Sequence, residues 1–277
     1  MNHIPKICHF FWDGAPMSIF QVFSVISFRK QNPDWTILVW RSKQKYTELG
    51  KNTFVGGYTG KDYSDILSFF PFVFFREVDF LAWKINTSIP ACSSSDIFRM
   101  KVLYRYGGIY SDFDVLWVRP IRHLAFIDCY GDFNKFECSV CFYEYTKGFQ
   151  NVSIMIAQDG SRYLKTLMDL QDTVQPPYAH QSYGSTLITN AFPTLESIEK
   201  EGYNVLAVKY ETFYPYSIYE LEKLFCKVDM TPMNYNVIAV HWFCGHEISL
   251  KCLNQDILQR ESNSFTKIIS QLFREAF

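Results

Sequence analysis

The sequence predicts an α/β protein built on a mostly parallel sheet with helices on both faces. Three observations carry this. Residues 4–11 (IPKICHFF) and 35–40 (WTILVW) are short, nearly continuous apolar runs of strand length, as strands buried on both faces require. Between them, Pro16-Met17-Ser18 opens a helical stretch running to about Gln31, closed by the turn Asn32-Pro33-Asp34. A strand, a helix of fitting length and a second strand form a βαβ start. Further on, Ser93-Ser94-Ser95 offers N-caps for a helix from about Asp96 to Tyr106. Gly107-Gly108 ends that helix, and a strand is expected over 109–118.

The second half supplies strand-like pieces near 138–143, 151–157, 204–208 and 237–243, with helices expected over 161–171, 194–201, 217–226 and 255–275. The stretch 42–75 has no clear period; Gly56-Gly57 and Gly60 mark loop. No repeat and no Pro/Gly/Ser linker divides the chain. A single domain over residues 1–277 is expected, its first half (about 1–120) and second half (about 121–277) forming one unit.

Composition narrows the function. A chain of 277 residues with 27 Lys+Arg against 28 Asp+Glu has a net charge of -1, which speaks against an electrostatic nucleic-acid binder. Aromatics reach 18%, which excludes a disordered polar chain. The opening residues lack a basic region followed by a long apolar one, so no targeting leader is expected. The longest apolar run, 66–75 (ILSFFPFVFF), contains Pro71 and is about half the ~20 residues of a membrane helix. It is expected to be mainly core; if exposed, it would suit a lipid-linked acceptor or a peripheral membrane contact. Cys138 and Cys141 form a Cys-x-x-Cys inside a strand-like segment, where they face opposite sides, so buried thiols are expected rather than zinc. The thiols point to a reducing cytoplasm.

The chemistry concentrates between residues 95 and 114. If 109–118 is one strand, Asp112 and Asp114 project side by side from an apolar segment. Two buried like charges are costly unless a cation or hydrogen bonds compensate them. Hard oxygen ligands of this kind suit Mg²⁺ or Mn²⁺. The bland alternative is that the strand ends at Asp112 and both acids face solvent. Asp96 and Arg99 share one helix face, either as an ordinary surface pair or as a carboxylate and guanidinium that hold ligand hydroxyls.

Ser95-Asp96-x-x-Arg99, Leu103-Tyr104-x-x-Gly107-Gly108-Ile109-Tyr110 and Asp112-x-Asp114 together resemble the DXD signature of sugar-binding glycosyltransferases, most similar to glycosyltransferase family 32. The opening Ile4-Pro5-Lys6-Ile7-Cys8-His9-Phe10-Phe11-Trp12, the block Asn32-Pro33-Asp34-Trp35 with Trp40, and Ala239-Val240-His241-Trp242 extend the resemblance over most of the chain. It implies a GT-A fold, a Rossmann-like mixed sheet with a C-terminal elaboration. The implied activity is metal-dependent hexosyl transfer from a UDP- or GDP-sugar to a glycan, lipid-linked or protein hydroxyl, with retention of configuration, in surface polysaccharide synthesis. The alternatives are a toxin-like enzyme acting on a host protein and an inactive nucleotide-sugar binder; a hydrolase is disfavoured. Carried over by position, Asp112 and Asp114 would hold Mn²⁺ or Mg²⁺ with His241. Asp96 and Arg99 would hold donor hydroxyls, and Phe11, Trp12, Gly108 and Tyr110 would line the donor. Alternatively, His241, Trp12 and Tyr110 are core residues. Gly245-His246-Glu247 stands where the family has Gly-Ser-Trp, which leaves His246 a rival metal ligand. The acceptor-side Asn falls near Asn151-Val152-Ser153.

Overall fold

In the computed structural model, residues 3–44, 57–127, 132–144, 146–176, 181–228, 233–254 and 262–274 are described. Strand β1 (Ile7–Phe11) leads into helix α1 (Ile19–Gln31), which opens on a capping box. The Ser18 hydroxyl accepts from Gln21 N–H while the Gln21 side chain accepts from Ser18 N–H, satisfying two donors a helix start otherwise leaves open. Strand β2 (Thr36–Ser42) then pairs parallel with β1, from Ile7 opposite Thr36 to Phe11 opposite Trp40.

The Phe-rich run divides. A 3-10 turn over Ser64–Phe69 buries Leu67, and strand β3 (Val73–Val78) joins β2 in parallel as the sheet edge. Phe70, Phe72 and Phe75 pack partly against the core, whereas Phe69 is 80% and Phe74 46% exposed. The run is thus core on one side only, because an edge strand has one covered flank.

Helix α2 (Ala91–Tyr106) starts five residues before the expected Asp96, immediately after Pro90. Proline presets the helical entry, so Ser93 and Ser94 are buried inside the first turns instead of capping them. At its other end Gly107 and Gly108 take φ of 63° and 96°. A Cβ on Gly108 would lie 2.3 Å from the Ile7 carbonyl, so only glycine lets strand β4 (Gly108–Ser111) lie against β1. His9 secures this junction: Trp40 Nε1–H donates to its Nδ1 (3.1 Å), and its Nε2 bonds the Gly107 carbonyl (3.0 Å). Burial lowers its pKa to about 4, so it is a neutral core histidine.

The expected strand over 109–118 is broken. After Ser111 the chain leaves the sheet, and strand β5 (Val115–Trp117) pairs instead with β10 (Ala239–His241), antiparallel. Asp112 and Asp114 therefore sit on a connector between two sheets rather than on one strand face. Both are pinned by backbone: Asp112 N–H donates to the Ser153 carbonyl, and Trp242 N–H donates to that of Asp114 (both 2.9 Å).

Strands β6 (Cys138–Glu144), β7 (Lys147–Gln150), β8 (Ile154–Ala157) and β9 (Val205–Val208) complete the main sheet. Its order is β3-β2-β1-β4-β8-β6-β7, with β9 on the other flank of β6. Strands β1 to β4 are parallel; β8 runs against β4 and β6, and β9 is parallel to β6. The C-terminal ends of β1, β4, β6 and β9 thus share one edge with the start of β8. Cys138 and Cys141 face opposite cores, as expected, and no described cysteine is in a disulfide.

The remaining helices are α3 (Leu124–Ile127), α4 (Arg162–Gln171), α5 (Ser185–Ala191), α6 (Leu195–Lys200), α7 (Tyr210–Phe213), α8 (Leu221–Phe225), α9 (Glu247–Asn254) and α10 (Ser264–Phe273). The helix expected over 255–275 is α10 alone within the described residues; 255–261 lie outside them. Val22, Val25 and Phe28 of α1 cover one sheet face, and Phe98 and Leu103 of α2 with Leu164 and Leu167 of α4 cover the other. A third cluster joins Phe20 to Trp242, α8 and α10. This arrangement is the GT-A one: a mixed Rossmann-like sheet with a C-terminal elaboration. No described helix is long and apolar enough to cross a membrane.

Candidate active site

A cavity of about 460 Å³ opens at the shared edge of β1, β4, β6 and β8, where open α/β sheets bind their ligands. Its wall includes Phe11 and Trp12 from the end of β1, Ser95, Asp96 and Arg99 from α2, and Asp112 and Asp114 from the β4–β5 connector. Ser153 just before β8, His241 at the end of β10, and Phe243 and His246 beyond it complete the wall. Gly108 and Tyr110 are not in that wall. Gly108 is filled by β1 backbone, and Tyr110 is 1% exposed beneath Arg99, its hydroxyl bonded to Ser95 Oγ at 2.8 Å. The Arg99 guanidinium lies 4.6 Å from the Tyr110 ring centre.

Arg99 is the hub of the buried floor. Its NH2 meets Asp96 Oδ1 at 3.0 Å, and its NH1 meets Asp112 Oδ2 at 3.2 Å and the Val152 carbonyl at 2.6 Å. Burial opposes its charge, but Asp112, Tyr110 and Asp96 outweigh burial and raise its pKa. Asp96, fully inside, is pushed up to about 6 by burial despite Arg99. Gly184, at the start of α5, makes room for it: a Cβ there would lie 2.5 Å from Asp96 Oδ2.

Asp114 has the opposite character. Burial acts to raise it, but His241 Nε2 at 3.1 Å and the Cys244 N–H at 2.8 Å overcome this and bring it down to about 2. Asp112 is raised by burial against the pull of Arg99. One ligand atom each of Asp112, Asp114 and His241 lie within 4.8 Å of one another. The His241 Nδ1 is buried and has no partner among the described residues. Two carboxylates and an imidazole suit a borderline-hard divalent cation such as Mn²⁺ or Mg²⁺. His246 stands apart from this trio; its Nδ1 accepts from Ile248 N–H at 3.3 Å.

Several wall residues were not anticipated: Asp13, Cys92, Gln181, Ile218, Phe243 and Cys244. Phe243 and Gln181 hold φ of 50° and 64°, conformations costly for residues with a Cβ. The turn at Phe243 aims the Cys244 N–H at Asp114, and no sequence pattern announces it.

The cavity at the carboxyl edge of the sheet thus holds an Asp-x-Asp and a buried arginine. Residues 21–137 match the family described as "Glycosyltransferase sugar-binding region containing DXD motif", a segment that holds Asp96, Arg99, Asp112 and Asp114. The segment is similar to the sugar-binding region of DXD-motif glycosyltransferases, and the enzyme class of the chain is glycosyltransferase. No curated protein matches. Among solved structures, the chain is similar to the PaToxG glycosyltransferase (16% identity over 99% of this chain and 86% of that one, TM-score 0.49). It is also similar to the ligand-free glycosyltransferase domain of the YGT toxin (12%, 79% and 82%, 0.48) and to the galactosyltransferase LgtC in complex with donor and acceptor sugar analogs (13%, 98% and 100%, 0.43). Likeness at this level bears on no residue's role.

Proposed function

We propose that the protein transfers a hexose from a UDP- or GDP-sugar to a hydroxyl acceptor in surface-glycan synthesis, with a divalent cation and retention of configuration. The observation that carries this is the convergence of Asp112, Asp114 and His241 on the floor of a cavity that also presents the Asp96–Arg99 pair. Asp112, Asp114 and His241 would hold the cation, which when bound neutralises a leaving diphosphate as a Lewis acid. Arg99 orients Asp96 and Asp112, so that donor hydroxyls meet preset partners rather than mobile ones. Phe11 and Trp12 close the cavity beside β1, where a nucleobase would stack. Ser153 and Gln181 line it from the second half of the chain, which supports reading residues 1–277 as one catalytic unit, donor half first. Cys92 and Cys244 in the wall favour a reducing, cytoplasmic setting. The exposed Phe69 and Phe74 supply an apolar spot for peripheral membrane contact.

The test is a screen of nucleotide-sugars for release of nucleoside diphosphate, with Mn²⁺ and with chelator, beside an Asp114→Ala blank. Cation-dependent release from one donor, lost in the variant, is the expected result. If no donor is turned over and none shifts the melting temperature in the presence of Mn²⁺, the reading fails.

A further inference from the structure

The Asp96 carboxylate is held from two sides that lie far apart in the chain. On one side Arg99 NH2 meets its Oδ1 at 3.0 Å. On the other stands the backbone of Gly184, so close that a Cβ there would fall 2.5 Å from Oδ2 and 2.9 Å from Oδ1. The carboxylate is thus wedged between a guanidinium and a piece of main chain. In a close-packed interior, where that main chain lies decides where the carboxylate can point.

The turn that contains Gly184 holds its own shape. Gln181 takes a φ of 64°, and its carbonyl accepts from Gly184 N–H at 3.0 Å and from Thr186 N–H at 3.3 Å. Its side-chain Oε1 accepts from Ser185 N–H at 3.3 Å. These bonds are internal to the turn and do not fix it to Asp96. Gln171, the last residue of α4, does. Its Nε2 donates to the Tyr183 carbonyl at 2.7 Å and to the Asp96 carbonyl at 3.1 Å. A primary amide nitrogen carries two hydrogens, so one side chain serves both acceptors.

Gln171 is 4% exposed and is not part of the cavity wall. Its Oε1 is buried with no partner among the described residues. A buried acceptor left unmet is costly, so a position that only filled space would favour an apolar side chain. What this position uses is the donor half of the amide.

We propose that Gln171 is a positioning residue for the donor sugar. By tying Tyr183 to the Asp96 carbonyl it keeps Gly184 against the Asp96 carboxylate, and so fixes the angle at which that carboxylate meets a sugar hydroxyl. It touches no ligand itself. The role falls to a helix outside the matched segment 21–137 and behind the site. This rests on the glycosyltransferase reading above, with Asp96 facing the sugar, and the experiment separates the two.

Calorimetry in the presence of Mn²⁺ compares two classes of ligand. UDP-glucose, UDP-galactose and GDP-mannose carry sugar hydroxyls; UDP and GDP do not. Gln171→Met keeps the length of the side chain and removes the amide. Gln171→Asn keeps an amide too short to reach both carbonyls, and serves as the second variant should the first not fold, as judged by urea unfolding. The expected result is sugar-nucleotide binding roughly fivefold to tenfold weaker in both, with UDP or GDP binding unchanged. Gly184→Ala, which disturbs the same contact from its other end, should show the same split. Gln171→Met/Gly184→Ala should bind no worse than Gly184→Ala alone, because both changes act through one contact.

Equal weakening of both ligand classes would make Gln171 merely structural and overturn the inference. Unchanged sugar-nucleotide binding in the Gln171 variants, or additive losses in the double variant, would overturn it as well. If the wild type bound neither class, the glycosyltransferase reading would fall, and this inference with it.

Discussion

The floor of the cavity and the exposed tyrosines at the end of β6 and before α8 are built on opposite principles. On the floor, Asp96, Arg99, Asp114 and His241 are buried and Asp112 partly so, and each charge is held by a named partner. Outside, Tyr143 and Tyr219 stand in solvent beside the surface pairs Glu144–Lys147 and Glu220–Lys223. A buried charge without its partner is far more costly than a surface ring removed. The floor therefore couples chemistry to folding, whereas the surface tyrosines can change without endangering the fold.

The largest expected break comes from Arg99. Arg99→Met strands the buried Asp96 and the half-buried Asp112 without their cation and should cost about 3–5 kcal/mol in urea unfolding. Arg99→Lys should recover little, because one ammonium cannot reach Asp96, Asp112 and the Val152 carbonyl together. A loss below about 1 kcal/mol would mean that the floor is not held by this hub.

Acidity sharpens the contrast within the floor. Asp96, raised to about 6, favours its protonated form in the folded state. Its contribution is fully present below its unfolded pKa of about 3.9 and is lost as pH rises through 6. Asp114, lowered to about 2, does the reverse: its contribution is present above about 4 and is lost as pH falls toward 2. Each limb is worth roughly 2–3 kcal/mol. Urea midpoints between pH 2 and 7, without divalent cation, should show the limb above pH 4 flattened in Asp96→Asn and the acid limb kept. Identical slopes in variant and wild type would rule out a raised Asp96.

Gly184→Ala tests the floor from behind. The added Cβ drives into Asp96 Oδ2, so a loss of about 1–3 kcal/mol is expected, together with weaker donor binding in calorimetry. Unchanged affinity would show that Asp96 can shift without consequence. Tyr219→Ala marks the small end of the scale, with a change of stability within about 0.5 kcal/mol. A larger effect would mean that Tyr219 is structural after all.

The βαβ start was legible because each piece is local: two apolar runs of strand length, a Pro16-Met17-Ser18 helix start and an Asn-Pro turn. Asp96, Arg99, Asp112 and Asp114 were legible as a motif, but the reason read for the acid pair was not the right one. Their shared orientation comes from a chain that leaves the sheet at Ser111, not from strand alternation. The start of α2 was misplaced because three serines imitate caps, while the Pro90 entry gives a weaker signal. Strand β3 was missed because its short run, with Phe74, Arg76 and Glu77 exposed, shows no clean alternation.

Short-range sterics and hydrophobic period act over a few residues, so the sequence by itself determined the βαβ entry, the α/β class, the Gly107-Gly108 crossing and the Asp-x-Asp block. The tertiary structure was needed to choose between His241 and His246, setting His241 beside Asp112 and Asp114, and to show that Gly184 makes room for Asp96. It alone brought Tyr143 of β6 against Tyr210 after β9. These pairings join segments tens to more than a hundred residues apart. Their meeting depends on strand order and direction, on where β4 ends and where β6 and β9 finish, and no local pattern encodes that.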